Sequence, residues 1–238
     1  MSEFRYYRPN AFPPIVKNLI IINALVFLAQ IVFDRQIGIT ELFALYPVDL
    51  PDFKPYQLIT HMFTHAPNNF FHILFNMLIL WMFGRVLENV WGGKRFLIFY
   101  LVSGLGAAVC HLLVQHLRYD PELIRQINIA LMRGDEFLAR ELYAQAGFLA
   151  SAVGASGAIM GVMAAFAYLF PNTELFIMFI PIPIKAKWAV IGYVAIDLFG
   201  GFSNLRGDNI AHFAHLGGAL TGFILVLIWN KTNKKTFY

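Results

Sequence analysis

Six segments of the chain carry long runs of apolar residues that contain few charges. They cover residues 15–33, 69–88, 96–117, 149–170, 186–202 and 210–230. The hydrocarbon core of a bilayer is about 30 Å thick, and a helix needs about 20 residues to cross it. We therefore predict six transmembrane helices, of which the fifth has the weakest pattern. Pro181 and Pro183 interrupt the apolar run 175–184 before it, and we expect that run to lie at the membrane interface.

One polar segment of some length lies between the third and fourth predicted spans. In residues 118–147, apolar positions such as Leu123, Ile127 and Leu131 lie among nine charged residues. This mixture is typical of amphipathic helices that rest on a membrane surface or on the rim of a bundle. We expect the segment to form such an insertion on the outer side.

The basic residues indicate how the helices are oriented. With six crossings and a cytoplasmic N-terminus, 11 Lys and Arg residues fall on the cytoplasmic side and 7 on the outer side. Acidic residues are distributed the other way, with 3 on the cytoplasmic side and 11 on the outer side. Since basic residues collect on the cytoplasmic side of membrane proteins, both termini are predicted to be cytoplasmic, with residues 1–14 as a short N-terminal tail.

The composition agrees with a membrane protein. Hydrophobic residues make up 58% of the 238 residues and charged residues only 13%, whereas an ordinary soluble domain is about a quarter charged. We predict an all-α polytopic membrane protein with one domain over residues 1–238. The net charge of +4 is modest and lies at the ends of segments, so we expect no nucleic-acid partner. Cys110 is the only cysteine, which excludes an intrachain disulfide.

Two polar residues inside the predicted spans have the chemistry of a hydrolase. Ser156 lies between Gly154 and Gly157, and His215 precedes Gly218. A serine hydroxyl is a weak nucleophile until a base takes its proton, and histidine is the usual base. Ser156, His215 and His72 lie 14, 15 and 16 residues from the inner ends of their spans. At 1.5 Å per residue these separations are about 21 to 24 Å. This places all three at one depth, about 6 to 9 Å below the outer edge of the core.

Small residues could bring the two helices together. Gly218 and Gly222 on one helix, and Gly157 and Gly161 on the other, form faces that allow close approach of two backbones. Such faces are also found where helices only pack against each other, and Ser156 and His215 would then form hydrogen bonds with groups of their own helices. Asp197 is the one carboxylate at a similar depth, and it could orient His215 or lie at the water interface. We favour the interface, and therefore a Ser–His dyad rather than a triad.

His72 and Asn76 are four residues apart, so they lie on one face of the second helix. Both can donate a hydrogen bond, and with the backbone N–H of Ser156 they could stabilise an oxyanion. An interhelical polar clamp accounts equally well for the pair.

The remaining histidines give a weaker signal for a metal. His61 and His65 have the spacing of zinc ligands, but no glutamate follows the first as in His-Glu-x-x-His, and His212 precedes His215 by one turn. We predict no metal and no cofactor. His61, His65, His111 and His116 are expected at helix ends near water.

The chain resembles the rhomboid family of intramembrane serine proteases over nearly all of its length. The resemblance is carried by Gly154-x-Ser156-Gly157, His215-x-x-Gly218-x-x-x-Gly222, His72-x-x-x-Asn76 and Gly84-x-x-x-Glu88-x-x-x-Gly92, together with the six spans. It implies Ser156 as nucleophile and His215 as general base and acid. It further implies that His72, Asn76 and Gly154 serve the oxyanion or the substrate. Glu88, Gly157, Gly218 and Gly222 would be structural.

The resemblance also implies the reaction and its partners. The substrates would be single-span membrane proteins, which are cut near the outer end of their helix within the lipid bilayer. A bacterial plasma membrane is the expected location. Two other functions stay open: a catalytically silent relative that binds membrane clients, and a small transporter that uses the polar cluster as an ion path. A transporter would show inverted repeats or paired broken helices, and the sequence has neither.

Overall fold

The computed structural model describes residues 9–118, 120–146, 151–176, 182–202 and 211–232. Its α-helices, in chain order, are α1 (Pro14–Ile37), α2 (Ile39–Phe43), α3 (Gln57–Thr60), α4 (Phe70–Ile79), α5 (Arg85–Trp91), α6 (Gly93–Arg118), α7 (Pro121–Met132), α8 (Glu136–Ala146), α9 (Ser156–Leu169), α10 (Ala186–Phe202) and α11 (Ala211–Thr232). A 3₁₀ turn (His61–Phe63) follows α3, and a π turn (Leu80–Gly84) joins α4 to α5.

The protein is an all-α polytopic membrane bundle, as the sequence predicts. Among the described residues, four helical segments are long and apolar enough to cross a membrane: Pro14–Ile37, Phe70–Trp91, Gly93–Arg118 and His212–Lys231. The fourth and fifth predicted spans correspond to α9 and α10, which are shorter, with 14 and 17 residues. At 1.5 Å per residue α9 is only about 21 Å long, so it is shorter than the hydrocarbon core.

The predicted span 149–170 begins later than its apolar composition indicates. Residues 151–155 are not helical, and α9 begins at Ser156. Ala152 pairs instead with Leu45, and the N–H of Gly154 donates to the carbonyl of His61 at 2.9 Å. Gly154 has a φ of 127°, a conformation that L side chains rarely adopt. The chain is therefore turned sharply just before the serine. Residues 149 and 150 of the predicted span lie outside the described residues.

The apolar run 175–184 contains a small hairpin where it is described. Strands β1 (Glu174–Phe176) and β2 (Pro183–Lys185) are antiparallel, with Glu174 opposite Lys185. Pro183 cannot donate to a strand ladder, which suits it to this short edge strand. The run does not form a helix in its described residues, in agreement with the effect expected of its prolines.

The polar insertion is a hairpin of two amphipathic helices, α7 and α8. Asp120 begins it by accepting the N–H of Glu122 at 2.9 Å, and Gly134 turns the chain between the helices with a φ of 69°. Its apolar face forms a separate buried cluster of Ile124, Ile127, Ala130, Ala139 and Leu142 with Leu50 of the segment between α1 and α4. The apolar face that the sequence predicts for the insertion thus packs against the segment between α1 and α4. Residues 119 and 147 lie outside the described part.

The centre of the bundle is formed by α6, α9 and α11, which pack through small residues. A Cβ on Gly222 would lie 2.5 Å from the Cα of Gly161, and a Cβ on Gly218 would collide with the carbonyl oxygen of Gly157. Backbones can approach this closely only where side chains are missing. The seam between α9 and α11 fixes the height of one helix against the other, and therefore of Ser156 against His215.

Glu88 joins the second membrane-crossing segment to the first. Its carboxylate is 4% exposed and accepts the N–H groups of Ile15 at 2.9 Å and Val16 at 2.7 Å. These are donors of the first turn of α1, which have no partner within their own helix. The carboxylate also opposes the positive end of the helix dipole. At the same end of the bundle Trp91 packs on Trp229, with ring centroids 5.6 Å apart. The helix α1 therefore begins on the same side of the bundle as that on which α11 ends.

Candidate active site

Ser156 and His215 lie in hydrogen-bond contact. The Oγ of Ser156 is 2.8 Å from Nε2 of His215, across the seam between α9 and α11. Ser156 is the first residue of α9, so its hydroxyl lies at the top of the helix, beside the turn at Gly154. The structure brings together the two residues that the sequence singles out from separate segments. Their arrangement allows proton transfer from the hydroxyl to the imidazole.

Asp197 lies beside His215 and not at the water interface, so the expectation of an isolated pair requires correction. The residue is 3% exposed, and its carboxylate oxygens are 3.2 and 3.3 Å from Nδ1 of His215. An acceptor at Nδ1 holds the ring proton there and leaves Nε2 free to accept from Ser156. Geometrically the three side chains form a Ser–His–Asp chain.

A second histidine shares the same carboxylate. Nδ1 of His212 is 2.6 Å from Oδ1 of Asp197, closer than either contact with His215. His212 lies one turn before His215 on α11, and the two rings are perpendicular, at 89°. The sequence analysis notes this spacing but does not predict that His212 contacts Asp197, because the carboxylate comes from another helix. Asp197 therefore serves two imidazoles at once.

His72 lies close to the serine and lines the same cavity. A Cβ built on Gly154 would lie 2.9 Å from Nε2 of His72 and 3.6 Å from Oγ of Ser156, so both atoms border the space left by this glycine. Nδ1 of His72 accepts the N–H of Ala66 at 3.4 Å. This contact assigns the ring proton to Nε2, the nitrogen nearer the serine. His72 can therefore donate toward a group bound at Ser156.

Asn76 and Gly154 already use hydrogen-bond donors for contacts within the protein. The Nδ2 of Asn76 donates to the carbonyl of His72 at 2.7 Å, which engages one of its two amide hydrogens. The N–H of Gly154 is engaged by the carbonyl of His61. Gly154 thus supplies space and a backbone direction and not a donor. The first N–H groups of α9, at Ser156 and Gly157, belong to the helix start, where backbone donors lack intrahelical acceptors.

The serine opens into a cavity of about 400 Å³. Its polar lining includes His72, Asn76, Ser156 and His215, and its walls are mostly apolar, formed by Phe71, Phe75, Ile79, Ile159, Met160, Met163 and Tyr193. The ring of Tyr193 lies 6.4 Å from that of His215. A serine hydroxyl, an imidazole and groups able to donate hydrogen bonds thus converge at the wall of an apolar cavity, which is suited to an extended apolar peptide or side chain.

The prediction that the other histidines lie near water is wrong for three of the four. His61, His65 and His111 are 6%, 0% and 3% exposed, and only His116 is at the surface, paired with Asp49 at 3.0 Å. The segment between α1 and α4 folds into the bundle, where Gln30 of α1 holds the backbone of His65 through both its carbonyl and its N–H. Periodicity does not reveal such a fold because the helices of this segment, α2 and α3, have only five and four residues.

Burial changes the protonation of two of these histidines. Desolvation lowers the pKa of His61 to about 4, although Nδ1 donates to the carbonyl of Gln57 at 2.7 Å. Desolvation, followed by the charge of His72, lowers the pKa of His65 to about 4. The His65 ring meets the edge of His72 at a centroid distance of 5.1 Å. Both residues are therefore neutral at pH 7 and support the wall of the site without adding charge.

Comparison with known proteins places this arrangement in a family. Residues 52–231 match the model of the Rhomboid domain. The chain is 29% identical to Rhomboid protein 1, mitochondrial, of Saccharomyces cerevisiae over 71% of its length and 40% of that protein. It is 28% identical to RHOMBOID-like protein 12, mitochondrial, of Arabidopsis thaliana, over 94% of the chain and 60% of the relative. It is 30% identical to the human Presenilin-associated rhomboid-like protein, mitochondrial, over 90% and 49%.

These relatives correct one expectation and limit others. The chain spans 40 to 60% of the length of these three curated proteins. The predicted location in a bacterial plasma membrane is wrong, because similar proteins of yeast, plant and mammal are mitochondrial rhomboid proteins. The domain match covers the cavity, the serine and the histidine pair, and on this evidence the chain belongs to the rhomboid family.

Proposed function

We propose that the protein is an intramembrane serine endopeptidase. The observation that carries the proposal is the 2.8 Å contact between Ser156 Oγ and His215 Nε2 beside an apolar cavity. A hydroxyl facing an unprotonated imidazole nitrogen is the arrangement that acyl transfer to serine needs. Members of the family include intramembrane serine proteases, which agrees with this chemistry.

The reaction would proceed in two halves. Ser156 attacks the scissile carbonyl while His215 takes its proton at Nε2, and the imidazolium then protonates the leaving amine. Asp197 holds the ring in the required tautomer and stabilises the imidazolium at Nδ1. Water then attacks the acyl-enzyme with His215 as base, which releases the second product and restores the serine.

The negative charge that develops on the carbonyl oxygen needs donors. Nε2 of His72 borders the space beside Ser156 that Gly154 leaves, Asn76 lines the same cavity with one amide hydrogen unused by His72, and α9 begins at Ser156 with its first N–H groups. Loss of one such donor in a serine protease costs about 10² to 10³ in rate. We therefore assign His72 and Asn76 to the oxyanion, with Gly154 providing the space between them and the serine.

The substrate would be a single membrane-spanning segment that reaches the cavity from the lipid. The apolar lining by Phe71, Phe75, Met160 and Met163 suits side chains from such a segment. A helix hides its carbonyls in its own hydrogen bonds, so the substrate must unwind locally before Ser156 can attack. The relatives' names also lead us to propose a mitochondrial membrane as its location, which fractionation of cells expressing the tagged chain would test.

The test is cleavage of a single-span substrate in proteoliposomes. Ser156→Ala and His215→Ala should each abolish cutting, and Asn76→Ala should lower the rate by about 10² to 10³. Ser103→Ala is the matched control, since Ser103 is a fully buried serine on α6 that contacts Gly161 away from the cavity. Cleavage by Ser156→Ala at the wild-type rate would refute the assignment.

A fluorophosphonate probe provides a second readout that requires no substrate. It should label wild type at Ser156 and fail on Ser156→Ala and His215→Ala. Labelling without cleavage would locate the failure in the choice of substrate. The absence of both would favour a silent protein that binds membrane clients.

A further inference from the structure

The carboxylate of Asp197 is surrounded by two imidazoles that present the same kind of nitrogen. Nδ1 of His212 and Nδ1 of His215 both face it, and the three ligand atoms lie within 4.8 Å of one another. His212 and His215 are three residues apart, so they lie on one face of α11, while Asp197 comes from α10. The cluster therefore joins two helices through three groups that can each coordinate a metal.

The packing around His212 holds its ring in place. A Cβ on Gly200 of α10 would lie 2.6 Å from Nε2 of His212 and 2.8 Å from two ring carbons. The ring therefore occupies the space that Gly200 leaves beside the backbone of α10, and in this position Nδ1 contacts Asp197. A partly exposed histidine that merely faced water would not need a glycine opposite it.

We propose that Asp197, His212 and His215 form an inhibitory binding site for zinc. Two imidazoles and one carboxylate are a known zinc ligand set, with water completing a tetrahedron. Ligand atoms at 2.0 to 2.2 Å from a tetrahedral ion lie about 3.3 to 3.5 Å apart. Asp197 Oδ1 and His215 Nδ1 are already 3.3 Å apart, whereas His212 Nδ1 must retreat from 2.6 Å to the same oxygen by about 1 Å or less.

The site is accessible to an ion and selective by its donors. The side chains of His212 and His215 are 31% and 19% exposed, while that of Asp197 is 4% exposed. An ion can therefore arrive from the imidazole side and meet a desolvated carboxylate. Imidazole nitrogen suits zinc and its transition-metal neighbours, whereas Mg²⁺ prefers oxygen ligands and keeps several waters.

Zinc at this site would stop the chemistry by moving a proton. Coordination occupies Nδ1 of His215, so the proton of the neutral ring must reside on Nε2. Nε2 then donates to Ser156 across the 2.8 Å contact instead of accepting from it. The ring can no longer take the serine proton, and Asp197 is withdrawn as its partner. Binding depends only on the three side chains, whereas inhibition rests on the proposed function.

The first experiment measures binding without any substrate. Purified protein in detergent is titrated with Co²⁺, whose visible absorption in a tetrahedral nitrogen and oxygen site reports occupancy, and Zn²⁺ is then added to displace it. Wild type and Ser156→Ala should each bind one equivalent. His212→Ala should weaken binding at least about 100-fold, because loss of even an outer partner costs 10- to 100-fold. His116→Ala, which removes a surface imidazole paired with Asp49, should bind like wild type.

The second experiment measures inhibition by the rate of fluorophosphonate labelling. Zn²⁺ should slow labelling of wild type, a chelator should restore it, and Mg²⁺ should have no effect. The inhibitory concentration should rise at least about 100-fold in His212→Ala relative to its own metal-free rate. His116→Ala keeps the wild-type sensitivity.

The outcomes separate the two proposals. No tetrahedral Co²⁺ signal in wild type, or a signal that survives His212→Ala, overturns the metal site. Binding without inhibition of an active enzyme overturns the inhibitory role. Binding by a protein that neither labels nor cuts supports the site and refutes the proposed protease.

Discussion

Replacing Asp197 by asparagine tests whether this carboxylate acts through His215. The substitution keeps the shape of the side chain but removes its charge, and an amide can donate to Nδ1 and so impose the wrong tautomer. In the wild type the carboxylate is buried and lies 3.2 and 3.3 Å from Nδ1. We expect Asp197→Asn to lower kcat/KM and to leave the expression and thermal midpoint close to wild type.

The magnitude follows from the contact distances. A hydrogen bond to a charged group contributes about 1.5 to 3 kcal/mol, and each 1.36 kcal/mol of barrier is tenfold in rate. The expected loss is therefore about 10- to 150-fold. It is smaller than the roughly 10⁴ seen when a serine protease loses an aspartate dedicated to its histidine. The reason is that Asp197 gives its shorter contact, 2.6 Å, to His212.

The assay is cleavage of a single-span substrate in proteoliposomes, with the rate of fluorophosphonate labelling beside it. Asp49→Asn is the matched control, because Asp49 pairs with His116 at 3.0 Å on the surface of the protein. That variant should cut at the wild-type rate. A rate for Asp197→Asn within twofold of wild type would show that the carboxylate serves only His212 and that a Ser–His dyad is sufficient.

Three further predictions concern the fold that supports the site. Gly222→Ala would place a Cβ 2.5 Å from the Cα of Gly161, so it should lower the free energy of unfolding by about 1 to 3 kcal/mol. Gly192→Ala, whose Cβ would have no atom within 4 Å, is the control and should leave the free energy of unfolding unchanged. Equal thermal midpoints for the two variants would contradict close packing of α9 against α11. Glu88→Gln replaces a carboxylate that accepts two N–H groups of α1 by an amide with only one oxygen. The free energy of unfolding, measured with denaturant, should fall by about 1.5 to 3 kcal/mol. An unchanged unfolding midpoint would show that Glu88 does not stabilise the fold. Because the pKa values of His61 and His65 are lowered in the folded protein, the unfolded chain binds more protons between pH 6.5 and about 4. The free energy of unfolding should therefore decrease as the pH is lowered through that window, by at most about 1.4 kcal/mol per pH unit for each histidine. This slope should be smaller in the double variant His61→Gln/His65→Gln, and an equal slope would refute the burial of both residues in neutral form.

The elements that depend on local pattern could be predicted from the sequence. The apolar runs gave the helices, and the common depth of Ser156 and His215 anticipated their contact. The glycines 157, 161, 218 and 222 pointed to the seam because small residues permit close packing whatever their surroundings. In each case the physical cause lies in the residue itself or in its neighbours three and four positions away.

The features that sequence reasoning missed depend on contacts between distant segments. Asp197 is buried because α11 covers it, and nothing along α10 distinguishes it from a carboxylate at the water interface. His61 and His65 are buried because the segment between α1 and α4 folds inward and is held by Gln30, 35 residues before His65. Hydrophobic periodicity carries no information about such pairings, since they arise only after the helices have packed.

The late start of α9 explains how a polar site can exist at membrane depth. A helix of about 21 Å cannot cross a core of about 30 Å, so the chain around Ser156 must enter as irregular backbone. Irregular backbone is tolerated there only if protein satisfies its polar groups. Leu45 and the carbonyl of His61 do so, by pairing with Ala152 and Gly154. The segment between α1 and α4 therefore replaces the missing turns of α9. Its removal would leave bare N–H groups in lipid, and substitutions that loosen it should impair the site before they unfold the bundle.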